Sequence, residues 1–208
     1  MDQKTPFVIT ISRELGCGGA YIGQQLAKEL NMYYADHEII AKAAEQLSTA
    51  EKDVELRDEK IESFWNTFWI YSGTASDAFV PHQKMFPPTS FDVFNAESEI
   101  IKHIANNRSS VIIGRCGFYV LRDHPNLFSI FLHADPAFRA KRIQDLYKVT
   151  EEEAVKKVAQ SDKDRVHYIS TFTGKKWSDA KQFGLCMDTG IIGIEKSAEL
   201  ILNYLRSK

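Results

Sequence analysis

The sequence has no block of like charge, no long apolar run and no paired cysteines. Lys and Arg total 26 against 28 Asp and Glu, a net charge of −2, so neither nucleic acid nor an anionic membrane is implied as a partner. No apolar stretch approaches the roughly 20 residues of a membrane span, and the opening MDQKTPFV lacks a signal-peptide core. A cytoplasmic protein is expected. Cys17, Cys116 and Cys186 are far apart and odd in number, which implies neither a disulfide framework nor a zinc site. The six histidines show no metal spacing such as H-E-x-x-H. Internal repeats and low-complexity linkers are also missing.

What is present is a strand, a glycine-rich turn and a helix at the start. Val8, Ile9, Thr10 and Ile11 are a buried-strand signal, and Ile22, Leu26, Ala27 and Leu30 follow at helical spacing. Between them Gly16, Gly18 and Gly19 permit φ > 0 and the close approach of a bulky anion to the helix N-terminus, so phosphate is the expected guest. A tight turn that packs strand on helix and binds nothing is the alternative. The loop departs from the Walker A pattern G-x-x-x-x-G-K-[ST]: with Gly18 as the second glycine, Arg13 stands at the first and Gly19 at the lysine. No serine or threonine follows, the next residues being Ala20 and Tyr21, so the Mg²⁺ ligand is not identified. Cys17, near a helix N-terminus, is either a reactive thiol of lowered pKa or a small loop filler.

Along the chain, Met32–Tyr34 is a short strand and Asp36 follows it, either holding a substrate group at the sheet's C-terminal edge or capping a helix over His37–Leu47. Ser48-Thr49-Ala50-Glu51 is a capping box. The segment from Ser63 to Asn95 is dense in aromatics and contains Pro81, Pro87 and Pro88, reading as helix, loop and helix. Its aromatics stack on a base, pack among themselves or meet across a dimer. A helix over Ala96–Asn107 leads into Val111–Ile113 with Arg115 at its mouth, where a guanidinium fork faces a phosphate, a carboxylate or a surface partner. Leu127–Leu132 is a strand, and Asp135-Pro136 starts a helix carrying Arg139 and Arg142 on one face. Thr150 and Glu153 cap a helix to about Gln160, Asp162 to Tyr168 read as a helical hairpin, and Leu185–Met187 with a helix from Gly193 closes the chain. Five strands alternating with helices imply an α/β fold with a parallel sheet covered on both faces. At 208 residues one domain with an insertion is the simplest organisation.

The motifs resemble the cytidylate kinase-like branch of the P-loop nucleoside-monophosphate kinases over nearly the whole length. ITISRELGCGGAYIGQQLAKEL is similar to that branch's opening ITISR-x-x-G-S-G-G-R-x-I, and YYADHEII to YYDREII. VIIGRCGFYVLRDHPN, FLHADPAFRAKRI and the closing DKDRVHYISTFTGKKWSDAKQFGLCMDTGIIGIEKSAELI have counterparts in the same order. The resemblance implies a P-loop, doubly wound five-stranded parallel sheet, a helical acceptor-binding insertion over 37–108 and a helical lid over 139–180. Carried over residue by residue, Gly16, Cys17, Gly18, Gly19, Ala20 and Tyr21 wrap the phosphates of ATP, and Asp36 and Arg115 hold the acceptor. Arg142 and Arg165, with Arg139 as an additional candidate, close on the transferring phosphoryl and Asp162 orients them. The implied activity is Mg²⁺-dependent transfer from ATP to a nucleoside monophosphate, CMP or dCMP preferred. Apart from the resemblance, exposed aromatics favour a homodimer through the 63–95 segment. The branch's usual arginine after the double glycine is replaced by Ala20, leaving Arg13 as the loop's one positive charge. That departure keeps open a catalytically weak nucleotide-binding sensor that couples to a partner through the aromatic segment, and the divergence of 63–95, where the acceptor wall is expected, keeps open a kinase of the same fold with another small acceptor.

Overall fold

Continuous β-branched runs make strands buried on both faces, which is how the first segment behaves. The computed structural model describes residues 5–36, 39–42, 44 and 91–207. Strand β1 (Val8–Arg13) is buried from Val8 to Ser12. Helix α1 (Gly19–Glu29) follows, then β2 (Tyr33–Ala35), helix α2 (Phe91–Asn107) and β3 (Ser110–Ile113). The short helix α3 (Gly117–Val120), β4 (Leu127–His133), α4 (Pro136–Tyr147) and α5 (Glu151–Thr173) come next. Strand β5 (Leu185–Asp188), the short α6 (Thr189–Ile192) and α7 (Ile194–Arg206) complete the order.

The sheet order is β2-β3-β1-β4-β5, with every pairing parallel. Because parallel neighbours need crossovers, helices lie between the strands, and the α/β architecture read from the sequence is the one observed. β1 is central, with Ile11 in register with Ile113 on one side and Ile130 on the other. Ile9, Ile11, Ile22, Leu26, Ile130 and Ile201 belong to the main core and are completely buried; each stabilises the fold by roughly 1.5–3 kcal/mol relative to an exposed position.

A smaller core joins α4 to α5 through Ala140, Ile143, Ala154 and Val158, with Leu15 from the glycine loop packed against it. The caps read from the sequence are in place: Asp135 accepts from Ala137 N at 2.8 Å, and Thr150 and Glu153 form a reciprocal capping box. The helical hairpin expected at 162–168 is not: α5 runs unbroken for 23 residues. Its polar middle is satisfied along the helix, Gln160 Nε2 donating to Asp164 Oδ1 at 2.7 Å and Arg165 Nη1 to Ser161 Oγ at 2.5 Å. The helix ends at Gly174, in a left-handed conformation that a residue without Cβ adopts freely. Helix α2 starts at Phe91 rather than near Ala96.

The chain divides into two compact units, one of Met1–Asp36 with Ile101–Lys208 and one of His37–Ile100. Most of the aromatic segment, and the capping box at Ser48, fall outside the described residues. No helix among the described residues is long and apolar enough to cross a membrane.

Candidate active site

The glycine loop occupies the end of the central strand. Gly16 and Gly18 have φ of 89° and 84°, conformations that favour glycine. Both are also wedged: a Cβ at Gly16 would lie 2.7 Å from the Arg139 carbonyl oxygen, and one at Gly18 2.8 Å from Ile194 of α7. Gly18 caps α1 without a side-chain hydrogen bond. Among the described residues the amides of Gly16, Cys17, Gly18, Ala20 and Tyr21 meet no protein acceptor, which leaves them available to an anion at the positive end of the α1 dipole.

The loop is fixed from below. Thr189, completely buried, donates its hydroxyl to Cys17 O at 2.8 Å and His133 O at 3.2 Å. Cys17 is also completely buried, its sulfur 3.5 Å from Leu132 O, and burial pushes its thiol up to about 11. Of the two readings of Cys17 this burial favours the small loop filler, because loss of hydration outweighs the helix N-terminus and the nearby arginines.

Three guanidinium groups arrive from separate elements. Arg13 ends β1, and among the described residues its guanidinium has neither hydrogen bond nor ion pair. Burial first, and to a lesser degree the charge of Arg115, lowers its pKa, while Tyr34, Cys17 and Asp36 act in the opposite sense. Arg115 follows β3 inside a run of three left-handed residues, Gly114, Arg115 and Cys116, at φ 76°, 47° and 54°. Left-handed backbone costs about 1–2 kcal/mol for a residue with Cβ, so this turn is held against local preference. The Arg115 guanidinium lies over the Tyr168 ring at 5.5 Å. Arg165 lies over Trp177 at 5.9 Å, and its Nε is buried without a hydrogen-bond partner. Burial is the main cause lowering its pKa, with Arg13 second. Keeping these cations together costs free energy that a polyanion relieves.

Arg139 is arranged differently. It is 3% exposed and fully engaged, with Nε donating to Ala134 O at 3.0 Å and lying 3.2 Å from Glu14 Oε2. Its Nη1 and Nη2 donate to the two oxygens of Asp162 at 3.0 and 2.9 Å. The structure thus places Arg139 and Asp162 in a clamp between the loop and α5. Arg142 is half-buried on α4, its guanidinium has no hydrogen bond or ion pair among the described residues, and its charge acts on Tyr147. Asp36 follows β2 and is felt by Arg13 and Tyr34.

Glu14, Tyr168, Trp177 and Thr189 were not singled out by sequence reasoning. Glu14 carries no motif signal beyond an acid in the loop; burial raises its pKa while the Ala134 amide and Arg139 pull it down. The P-loop manner of holding Mg²⁺ through a Ser or Thr hydroxyl does not fit these residues, because Ala20 supplies no side-chain oxygen.

The sequence profile of the cytidylate kinase-like family matches residues 8–191. A cytidylate kinase of Saccharolobus islandicus strain L.S.2.15 is 25% identical over 122 residues, 57% of this chain and 63% of that protein, so the match spans less than two thirds of this curated relative. The crystal structure of an uncharacterized protein from Eubacterium ventriosum superposes with a TM-score of 0.71 at 22% identity, covering 97% of this chain and 99% of that one. TT1252 from Thermus thermophilus gives a TM-score of 0.51 at 13% identity, over 98% and 97%. At these identities the two structures establish the fold alone.

Proposed function

This chain belongs to the cytidylate kinase-like family, and on that footing we propose that it transfers the γ-phosphoryl group of ATP to a nucleoside monophosphate, CMP or dCMP preferred. The observation that carries the reading is the convergence of Arg13, Arg115 and Arg165 beside a loop whose amides have no protein acceptor. Charge spread over phosphoryl oxygens needs cations from several directions, and phosphoryl transfer depends on positioning and neutralisation more than on a covalent participant.

In this mechanism Gly16 to Tyr21 hold the donor phosphates by backbone N–H groups. Asp36 and Arg115 hold the acceptor, its phosphate against the guanidinium. An acceptor phosphate oxygen forms the new bond to the γ-phosphorus, and the bond from that phosphorus to the β–γ bridging oxygen breaks. The electron pair stays on ADP, and a nucleoside diphosphate results. Arg13 and Arg165 face the charge of the group in flight, with Arg142 as a further candidate from the α4–α5 arm. Magnesium enters with the donor nucleotide, and no step is assigned to it. The proposed site of action is the cytoplasm, the compartment expected from the sequence.

The absence of a side chain at Gly19 and of a hydroxyl at Ala20 favours one competing reading, a nucleotide-binding sensor of low turnover. A coupled assay of ADP formation against a panel of ribo- and deoxynucleoside monophosphates separates them, with calorimetric titration of ATP alongside. Turnover highest with CMP or dCMP is the expected result. ATP binding without turnover on any nucleotide or small hydroxylated acceptor supports the sensor, and turnover confined to another acceptor reassigns the substrate.

A further inference from the structure

Backbone conformation accounts for glycine at positions 16 and 18, where φ is strongly positive, but not at 19. Gly19 is the first residue of α1 and has no left-handed φ. A side chain there is excluded by one neighbour: an added Cβ would lie 2.7 Å from both Cβ and Cγ of Arg13 and 3.6 Å from its Cδ. The far end of the same arginine lies across Gly114, where an added Cβ would collide with Nη1. Two glycines from different elements therefore form the bed of one arginine, its stem on the start of α1 and its head at the end of β3.

Positions 13 and 19 are those at which the Walker A pattern places its first glycine and its lysine. Here large and small are exchanged, arginine at 13 and glycine at 19, and the space next to Gly19 holds only one of the two side chains. We infer that Arg13 is the P-loop's phosphate-binding cation, relocated from the start of the helix to the end of the strand, and that glycine at 19 and 114 exists to seat it. The ligand class is the terminal phosphates of a nucleoside triphosphate. The inference rests on the phosphotransfer reading and deepens it. Three further facts support it. Arg13 is the single positive charge from residue 13 to residue 21. Its guanidinium has no hydrogen bond or ion pair among the described residues. Its charge acts on Cys17 in the loop and on Arg115 and Asp36 past the neighbouring strands, which sets it between the donor nest and the acceptor groups.

The test compares the full-length wild type with R13G, G19K and the exchanged R13G/G19K. Mg·ATP affinity is read by calorimetry and CMP-dependent ADP formation by a coupled assay. R13G and G19K each weaken Mg·ATP by tenfold or more and lower turnover by about 10²-fold, the size of effect seen when one transition-state donor is removed. The exchanged protein recovers at least tenfold over R13G in both readouts, because the lysine enters the space the arginine has left. Exchanged protein that binds Mg·ATP no better than R13G overturns the inference, as does R13G with wild-type affinity. Where G19K alone fails to fold, R13G against the exchanged protein decides. Wild type that binds Mg·ATP but phosphorylates no acceptor removes the kinase reading only, and the affinity comparison still judges the exchange.

Discussion

Asp162 grips Arg139 with both carboxylate oxygens, at 3.0 and 2.9 Å, and the guanidinium passes that hold to Glu14 at 3.2 Å. A helix carrying Arg165 is thereby tied to the residue that follows Arg13 in sequence. Fork-to-fork pairing is the strong form of a charged hydrogen bond, and lysine does not reproduce it.

Arg139→Met leaves Glu14 and Asp162 facing each other without a cation. Breaking a buried pair costs about 3–5 kcal/mol; side-chain exposures of 21% for Glu14 and 27% for Asp162 place the loss near the low end, about 3 kcal/mol at pH 8. Arg139 now lowers the Glu14 pKa, so its removal raises the folded-state value further above the unfolded one. The folded variant then binds more protons than the unfolded chain at mildly acid pH, and its stability falls as pH rises through that window. Urea denaturation is expected to show a smaller deficit at pH 5 than at pH 8. An equal deficit at both pH values refutes the account.

Gly114→Ala places a methyl group where the Arg13 head lies and puts alanine at φ 76°. The backbone alone costs about 1–2 kcal/mol. The variant is expected to melt lower and to lose turnover out of proportion to that change. Normal kcat in the folded fraction contradicts the seat assigned to Arg13.

Thr189→Val keeps the shape of a completely buried side chain and deletes the hydroxyl that Cys17 O and His133 O share. Leaving a buried carbonyl without its donor costs about 1–3 kcal/mol. With the loop less firmly held, the KM for ATP rises more than kcat falls. Calorimetry and steady-state kinetics check the two halves separately.

Arg165→Met removes a cation whose Nε has no partner and whose burial is unfavourable. Stability is expected to stay within about 1 kcal/mol of wild type, because a buried charge without full pairing contributes little, while turnover drops about 10²–10³-fold. Circular-dichroism melts beside kinetics make the comparison, and a large loss of stability without loss of turnover reverses the assignment.

The sheet was legible because its strands are written in β-branched runs such as Val8–Ile11 and Val111–Ile113, and burial on both faces needs no finer signal. The caps at Asp135 and Thr150 were legible for the same local reason. The continuity of α5 was not: Asp162 to Arg165 are charged, Ala154, Val158 and Ile169 are its few buried residues, and the pairings that carry the helix through lie four residues apart between polar groups. Arg13, Arg115 and Arg165 were recognisable as arginines at strand ends or within an arm. That Arg139 is a buried clamp was not, because its partner Glu14 sits 125 positions earlier in the chain. Nor does the sequence reveal why Gly19 is glycine, since the cause is the side chain of another residue.

The seating of one arginine on Gly19 and Gly114 also constrains how this loop can change over generations. A lineage holding Arg13 gains nothing from a lysine codon at 19, since the newcomer finds its space taken. One that first loses Arg13 passes through a form with no cation in the loop. The two arrangements are therefore separated by a valley that single substitutions do not cross, and a variant library seeking to move between them must randomise both positions at once.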